Sequence, residues 1–229
     1  MGVWTNFEFN RDSLPKRCYL FAGDKSKEEK ECILSLYTDI EYQKHTVYER
    51  FIVSDGSNQD LLIFQVYGAP TISDLTFILK DGGVEEIIFI GTAYGIGKGI
   101  AIGDYIIPDK VQALDGLLKV VFDVDYSEPN KDINAIIKNA LDTNQEKYYE
   151  GKTVSVPSTF FHPSKTKFDE DVIALEMEFA SVCHISKMLN MKCGGIFIVS
   201  DNEEHTLLED RTVVDRKWLS SFKMIKGLN

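Results

Sequence analysis

The sequence predicts an α/β fold in which helices cover a β-sheet. Two observations carry this. Apolar runs of strand length recur along the chain, and several are separated by segments whose apolar residues repeat at helical spacing. At 229 residues the chain can enclose a substantial core. No stretch reads as a linker, a fixed-period repeat or a low-complexity tract, so residues 1–229 are expected to form one domain.

The strand-like runs are Cys18 to Ala22, Leu61 to Val66, Glu86 to Ile90, Tyr105 to Ile107, Thr153 to Val156 and Gly194 to Val199. Helical spacing marks Lys25 to Tyr37, Thr71 to Lys80, Lys131 to Leu141 and Phe179 to Leu189, with a further helix expected over Asp215 to Ile225. Asn58, Asp125 to Asn130 and the charged Pro163 to Asp171 read as loops, the last as a mobile flap.

Composition narrows the function classes. The formal charge of -11 and the absence of a basic cluster argue against nucleic acid and anionic membrane as partners. Apolar runs are too short to span a bilayer, and MGVWTNFEFN has neither a signal-peptide core nor the Ser or Thr that N-myristoylation wants where Asn6 stands. A soluble cytoplasmic protein is the expectation. The four cysteines, Cys18, Cys32, Cys183 and Cys193, lie in or beside apolar segments without paired spacing and read as reduced thiols. His162, His184 and His205 show no ligand spacing, so no metal is assigned, and His184 reads as a hydrogen-bonded core residue.

Four segments carry chemistry. In "DVIALEMEFASVC" the carboxylates of Glu176 and Glu178 flank Met177 between a strand-like and a helix-like run. Extended backbone would turn both to one face, at a strand-to-helix junction of the kind where open α/β sheets place ligands. In "AGDKSKEE" a strand ends at Gly23 and a helix follows; the default reading is a turn, the alternative an anion site made of free N–H groups. In "FIGTAYGIGKG" four glycines follow a strand with spacing unlike a dinucleotide fingerprint; the two readings are a close backbone approach to a ligand and a glycine-rich loop leading to the strand at Tyr105. Finally, Asp201 closes the strand of "IFIVSDNEEH"; the default reading there is a helix N-cap, the alternative an acid or base.

In order, Gly23-Asp24, Gly91-Thr92, Phe160, Glu176-Met177-Glu178 and Val199-Ser200-Asp201 resemble the family of purine nucleoside phosphorylases, uridine phosphorylases and methylthioadenosine nucleosidases. The likeness runs nearly end to end, and the E-M-E-x-A pattern with a V-S-D strand after it is its most specific part. It implies a single domain with a central mixed β-sheet flanked by helices, and an enzyme that breaks the bond between a base and ribose. By this resemblance Glu178, helped by Glu176, holds the ribose hydroxyls, Met177 packs on the sugar, Phe160 stacks on the base, and Tyr67 joins the substrate-binding residues. Thr92 touches phosphate or sugar, and Gly23 and Lys27 belong to the phosphate site. Asp201 is the acid beside purine N7, with Arg216 assisting. These residue types suit the chemistry: as the glycosidic bond breaks, positive charge grows on the ribose and negative charge on the base.

Asp201, together with a flap lacking the Gln and Arg that read uracil, makes the chain most like the purine nucleoside phosphorylases. The resemblance implies no cofactor other than inorganic phosphate as co-substrate, a purine nucleoside as small-molecule partner, and a homo-oligomer, dimer or hexamer, in which residues 43–50 reach a neighbour. The pattern departs in two places. Where the phosphorylases carry phosphate-binding arginines this chain has Lys27, Gln43 and Phe89, with Lys44, Arg50 and Lys98 nearby as substitutes, and Tyr94 replaces the second glycine of the phosphate-site turn. The nucleosidases need no such arginines, but their early acidic motif is not evident; Glu28 and Glu29 are distant candidates. The alternatives to phosphorolysis are therefore a phosphate-independent nucleosidase and a catalytically silent nucleoside-binding relative.

Overall fold

A computed structural model describes residues 14–23, 26–44, 48–56, 58–97, 99–158, 168–204 and 211–228. In chain order the elements are β1 (Arg17–Ala22), α1 (Lys27–Leu34), β2 (Asp39–Lys44), β3 (Glu49–Ser54), β4 (Gln59–Val66), α2 (Ala69–Asp81), β5 (Glu86–Gly95) and β6 (Tyr105–Ala113). There follow α3 (Leu117–Phe122), β7 (Tyr126–Ser127), α4 (Lys131–Thr143), β8 (Tyr148–Ser155), β9 (Val172–Glu176), α5 (Phe179–Met188), β10 (Lys192–Asp201) and α6 (Thr212–Lys226).

The sheet is mixed and has two parts. Strands β5, β10, β6, β8 and β9 pair in a closed ring, because β5 bonds to both β10 and β9. From β5 an arm continues through β1 and β4 to the antiparallel β3 and β2. The chain leaves β1, pairs β4 on one side of it, and returns through α2 to β5 on the other side. Such a reversal opens a crevice beyond the carboxyl ends of the strands.

Helices cover both faces. Ile72, Leu75 and Leu79 of α2 and Phe179, Val182 and Cys183 of α5 pack into one core. Ile33 of α1, Ile133 and Ile137 of α4, and Val214, Trp218 and Phe222 of α6 pack into the other. Strand β10 can lie between α4 and α5 only because it carries adjacent glycines. A Cβ at Gly194 would stand 2.6 Å from Ile133 and Asn134, and one at Gly195 would stand 2.6 Å from the Phe179 ring. Gly195→Ala is expected to lower stability by about 1–3 kcal/mol, the usual cost of overpacking a core, as read from chemical denaturation.

The expected elements are present, with altered limits and some additions. Helix α1 starts later than Lys25, because Ser26 caps it: Glu29 N–H donates to Ser26 Oγ and Ser26 N–H donates to Glu29 Oε2, at 3.1 and 2.6 Å. The glycine stretch is not a loop from its start; β5 runs through Gly91 to Gly95, held by β10 on one side and at its end by β9 on the other. Strands β2 and β3 and helix α3 were not foreseen. Ile40 and Tyr42 are about half exposed on the edge strand and Val120 stands 85% exposed on α3, so neither segment shows the apolar pattern of a buried element. Two residues of the expected loop Asp125 to Asn130 pair with β6 as β7. Residues 163–167 of the expected flap lie outside the described residues.

Candidate active site

Tyr94, near the end of β5, pairs with Leu175 of β9 on one side and with Asp201 of β10 on the other. Two strand spacings span roughly 10 Å, so the register alone brings the end of β9 and the end of β10 to one rim. Burial, and then the charges of Glu203 and Asp201, raise the Tyr94 phenol above its ordinary pKa. Ser200 Oγ donates to Asp201 Oδ2 at 2.6 Å. Asp201 is no N-cap: α6 begins after Arg211.

The glutamate pair does not follow strand alternation. Strand β9 stops at Glu176, and Glu178 is the N-cap residue of α5, with φ −135° and ψ −32°. The two carboxylates part company at this bend. Glu176, 4% exposed, folds over the start of α5: its Oε2 accepts the N–H groups of Glu178 and Phe179, both at 2.6 Å, and its Oε1 accepts the Ser155 hydroxyl. Glu178, 6% exposed, reaches across to α2, where Oε1 accepts the Gly68 N–H at 2.8 Å. Gly68 sits at φ +81°, a conformation that suits glycine, and turns the chain from β4 into α2. Met177, half-buried between the two glutamates, lines a cavity of about 160 Å³ with Gly68, Asp115, Val156 and Pro157.

Burial dominates the electrostatics. Desolvation raises Glu176 to about 7, against the hydrogen bonds from Ser155, Phe179 and Glu178 that favour its charged form. Desolvation, followed by the charge of Glu176, raises Glu178 to about 8. Burial, and then the charge of Glu178, raise the phenol of Tyr67, which follows β4 and is about half exposed. Asp115 joins this group although nothing in the sequence singled it out. Burial raises its pKa, its charge raises that of Glu176, its Oδ1 accepts the Leu117 N–H at 2.7 Å, and its Oδ2 is buried without a partner among the described residues. Its only sequence signal is an Asp-Gly pair, which ordinarily marks a turn.

The phosphate site expected from the sequence is not assembled in the same way. The Gly23 N–H is already donated to Val66 O at 2.9 Å, extending the β1–β4 pairing, so it is not available to an anion in this conformation. Lys27 is exposed and paired with Glu31 at 3.5 Å. Phe89 lies wholly buried against Phe179 and Phe197, at ring separations of 5.2 and 5.7 Å. Gln43 donates to Glu41 on the edge strand. Thr92, half-buried, pairs with Ile198 inside the sheet. The acidic candidates are occupied or remote: Glu29 serves the cap of α1 and Glu28 is exposed.

Arg216 is exposed on α6, about 200° around the helix from the buried Trp218. His184 is half-buried rather than part of the core: its ring lies on Phe122 at 5.1 Å, and burial lowers its pKa. Phe160, Asp24, Lys98, His162 and His205 lie outside the described residues.

Comparison with known proteins gives a consistent picture. The family model described as the phosphorylase superfamily matches residues 20–225. A guanosine phosphorylase of Halorubrum lacusprofundi is 23% identical over 189 residues, covering 80% of this chain and 77% of its own length. A DeoD-type purine nucleoside phosphorylase of Clostridium perfringens is 25% identical over 167 residues, covering 69% of each chain. Among solved structures, the 5'-methylthioadenosine/S-adenosyl homocysteine nucleosidase of Campylobacter jejuni superposes with a TM-score of 0.78 at 18% identity, covering 93% of this chain and 97% of its own. A futalosine hydrolase mutant of Helicobacter pylori gives the same four values. At such identity the structures establish the fold.

Proposed function

The chain belongs to the phosphorylase superfamily, and from that premise we propose that it cleaves the N-glycosidic bond of a purine nucleoside by phosphorolysis, giving the free base and ribose 1-phosphate. The observation that carries the reading is the shared rim: Leu175 of β9, next to the buried Glu176 and three residues before the buried Glu178, and Asp201 at the end of β10 pair with the same residue of β5, Tyr94. In the reaction the bond between ribose C1′ and the purine nitrogen breaks and its electron pair leaves with the base. A phosphate oxygen bonds to C1′. Asp201 relays to purine N7 the proton that the attacking hydrogen phosphate gives up, which stabilises the leaving base. Anionic Glu178 accepts hydrogen bonds from the ribose hydroxyls, and these tighten as positive charge develops on the sugar. Met177 packs on the sugar from the cavity wall, Tyr67 borders Glu178, Phe160 stacks on the base, and Thr92 contacts sugar or phosphate. No cofactor beyond phosphate enters the scheme.

A second acceptor, water, is favoured by one specific finding: the Gly23 N–H is spent within the sheet, and Phe89, at a position where the phosphorylases carry an arginine, is buried in the core and offers phosphate no charge. The names of the curated relatives support phosphate. We further infer a cytoplasmic homo-oligomer. Among the described residues no helix is long and apolar enough to cross a membrane, and the exposed Ile40 and Tyr42 of edge strand β2 support a neighbour there.

The test is incubation with inosine, adenosine and methylthioadenosine, with and without phosphate, followed by chromatography of the free base. Phosphate-dependent release abolished by Asp201→Asn is the expected result. Release that ignores phosphate assigns the hydrolytic reading instead. No free base from any nucleoside, together with calorimetric binding of one of them, would leave a silent binding protein.

A further inference from the structure

We propose that Ser155, acting with Glu176, is a positioning residue that holds Glu178 to the sugar and thereby sets the preference for ribonucleosides over 2′-deoxyribonucleosides. The inference rests on the reading of the site given above. Ser155 ends β8 and is fully buried. Its hydroxyl donates to Glu176 Oε1 and accepts the Ala180 N–H at 2.9 Å, while Glu176 Oε2 takes the N–H groups of Glu178 and Phe179. Three successive donors at the start of α5 are therefore satisfied from β8 and β9.

This has a consequence for Glu178. A helix leaves its first N–H groups unpaired, and the N-cap side chain ordinarily turns back to take one of them. Glu178 occupies the N-cap position yet makes no such bond. With Ser155 and Glu176 filling that role, its carboxylate is released to bridge to the Gly68 N–H of the neighbouring α2. Ser155, Glu176 and Glu178 do not line the cavity, but Glu178 is bonded to Gly68, which does line it, together with Met177 between the two glutamates. Of the three polar side chains, Glu178 is thus the one tied directly to the cavity wall, and Ser155 and Glu176 act through it.

Ser155→Ala removes one donor and one acceptor and strands both Ala180 N–H and Glu176 Oε1 in a buried place. A displacement of about 1 Å at a reacting group can cost roughly a hundredfold in rate. For the Ser155→Ala enzyme, the ratio of kcat/KM for adenosine to that for 2′-deoxyadenosine is expected to fall about tenfold, since only the ribonucleoside presents the 2′-hydroxyl. Hydrogen exchange at the Gly68 amide is expected to accelerate by a similar factor. Equal losses on both nucleosides, or unchanged Gly68 exchange, would overturn the proposal. Glu176→Gln provides a second variant should Ser155→Ala fail to fold: one amide oxygen cannot accept from both sides, so the same two changes are expected. If the native enzyme cleaves neither nucleoside, the functional reading falls by itself, and Gly68 exchange still decides whether the pair holds Glu178.

Discussion

Replacing Glu178 by Gln is expected to lower kcat/KM for a purine ribonucleoside by roughly 10²–10³, the loss typical when one preorganised electrostatic group is removed from a transition state. The amide keeps the volume of the side chain and can still accept the Gly68 N–H, so the effect reports the missing charge. The pH profile identifies that charge. Burial and the neighbouring Glu176 raise Glu178 to about 8, so in the native enzyme the anion fraction, and kcat/KM with it, should climb roughly tenfold per pH unit below that value. In Glu178→Gln the limb near 8 should vanish. Stability must run the other way. A carboxyl whose folded pKa is about 8, above its ordinary 4.5, binds protons more tightly when folded. Its stabilising contribution is complete below about 4.5 and is lost as pH rises through 8, and Glu176 behaves likewise through about 7. Melting temperature should therefore fall from pH 5 to 9, with a shallower slope in Glu178→Gln. Identical slopes for the two proteins would show that this carboxyl is not raised.

The second large effect concerns stability alone. Lys226, in the last turn of α6, donates to Asp60 Oδ2 and lies 3.2 Å from Asp55. Asp60 is 4% exposed, and Tyr37 also donates to it, at 3.5 Å. Lys226→Met leaves a buried carboxylate without its cation and is expected to cost about 3–5 kcal/mol, measured by urea denaturation. Adding Asp60→Leu should recover most of that loss, because a buried ion pair is often no better than an apolar pair of similar volume. A loss confined to the range of surface substitutions, about 0.5 kcal/mol, would mean that water reaches the pair. Asp60 is near the start of β4 while Gly68 follows its other end, roughly 25 Å away at the strand rise, so kcat/KM of the folded Lys226→Met protein should be unchanged.

The chain's own pattern determined much of this. Buried strands such as Gly194 to Val199 and amphipathic segments such as Lys131 to Leu141 announce themselves, because one period or the other dominates the local sequence. The acidic pair and Asp201 were legible for a related reason: a charge inside an apolar run is too costly to stand there without partners. Tertiary structure decided what those charges touch. Pairing of β8 with β9 brings Ser155 beside Glu176, and packing of α2 against α5 brings Gly68 beside Glu178, contacts 21 and 110 residues apart in sequence. Pairing of β1 with β4 assigns Gly23 to a neighbouring strand, and the docking of α6 turns Arg216 to solvent. Local propensity carries no information about such contacts, since hydrogen bonds across a sheet depend on register, and register is set only when whole strands pair.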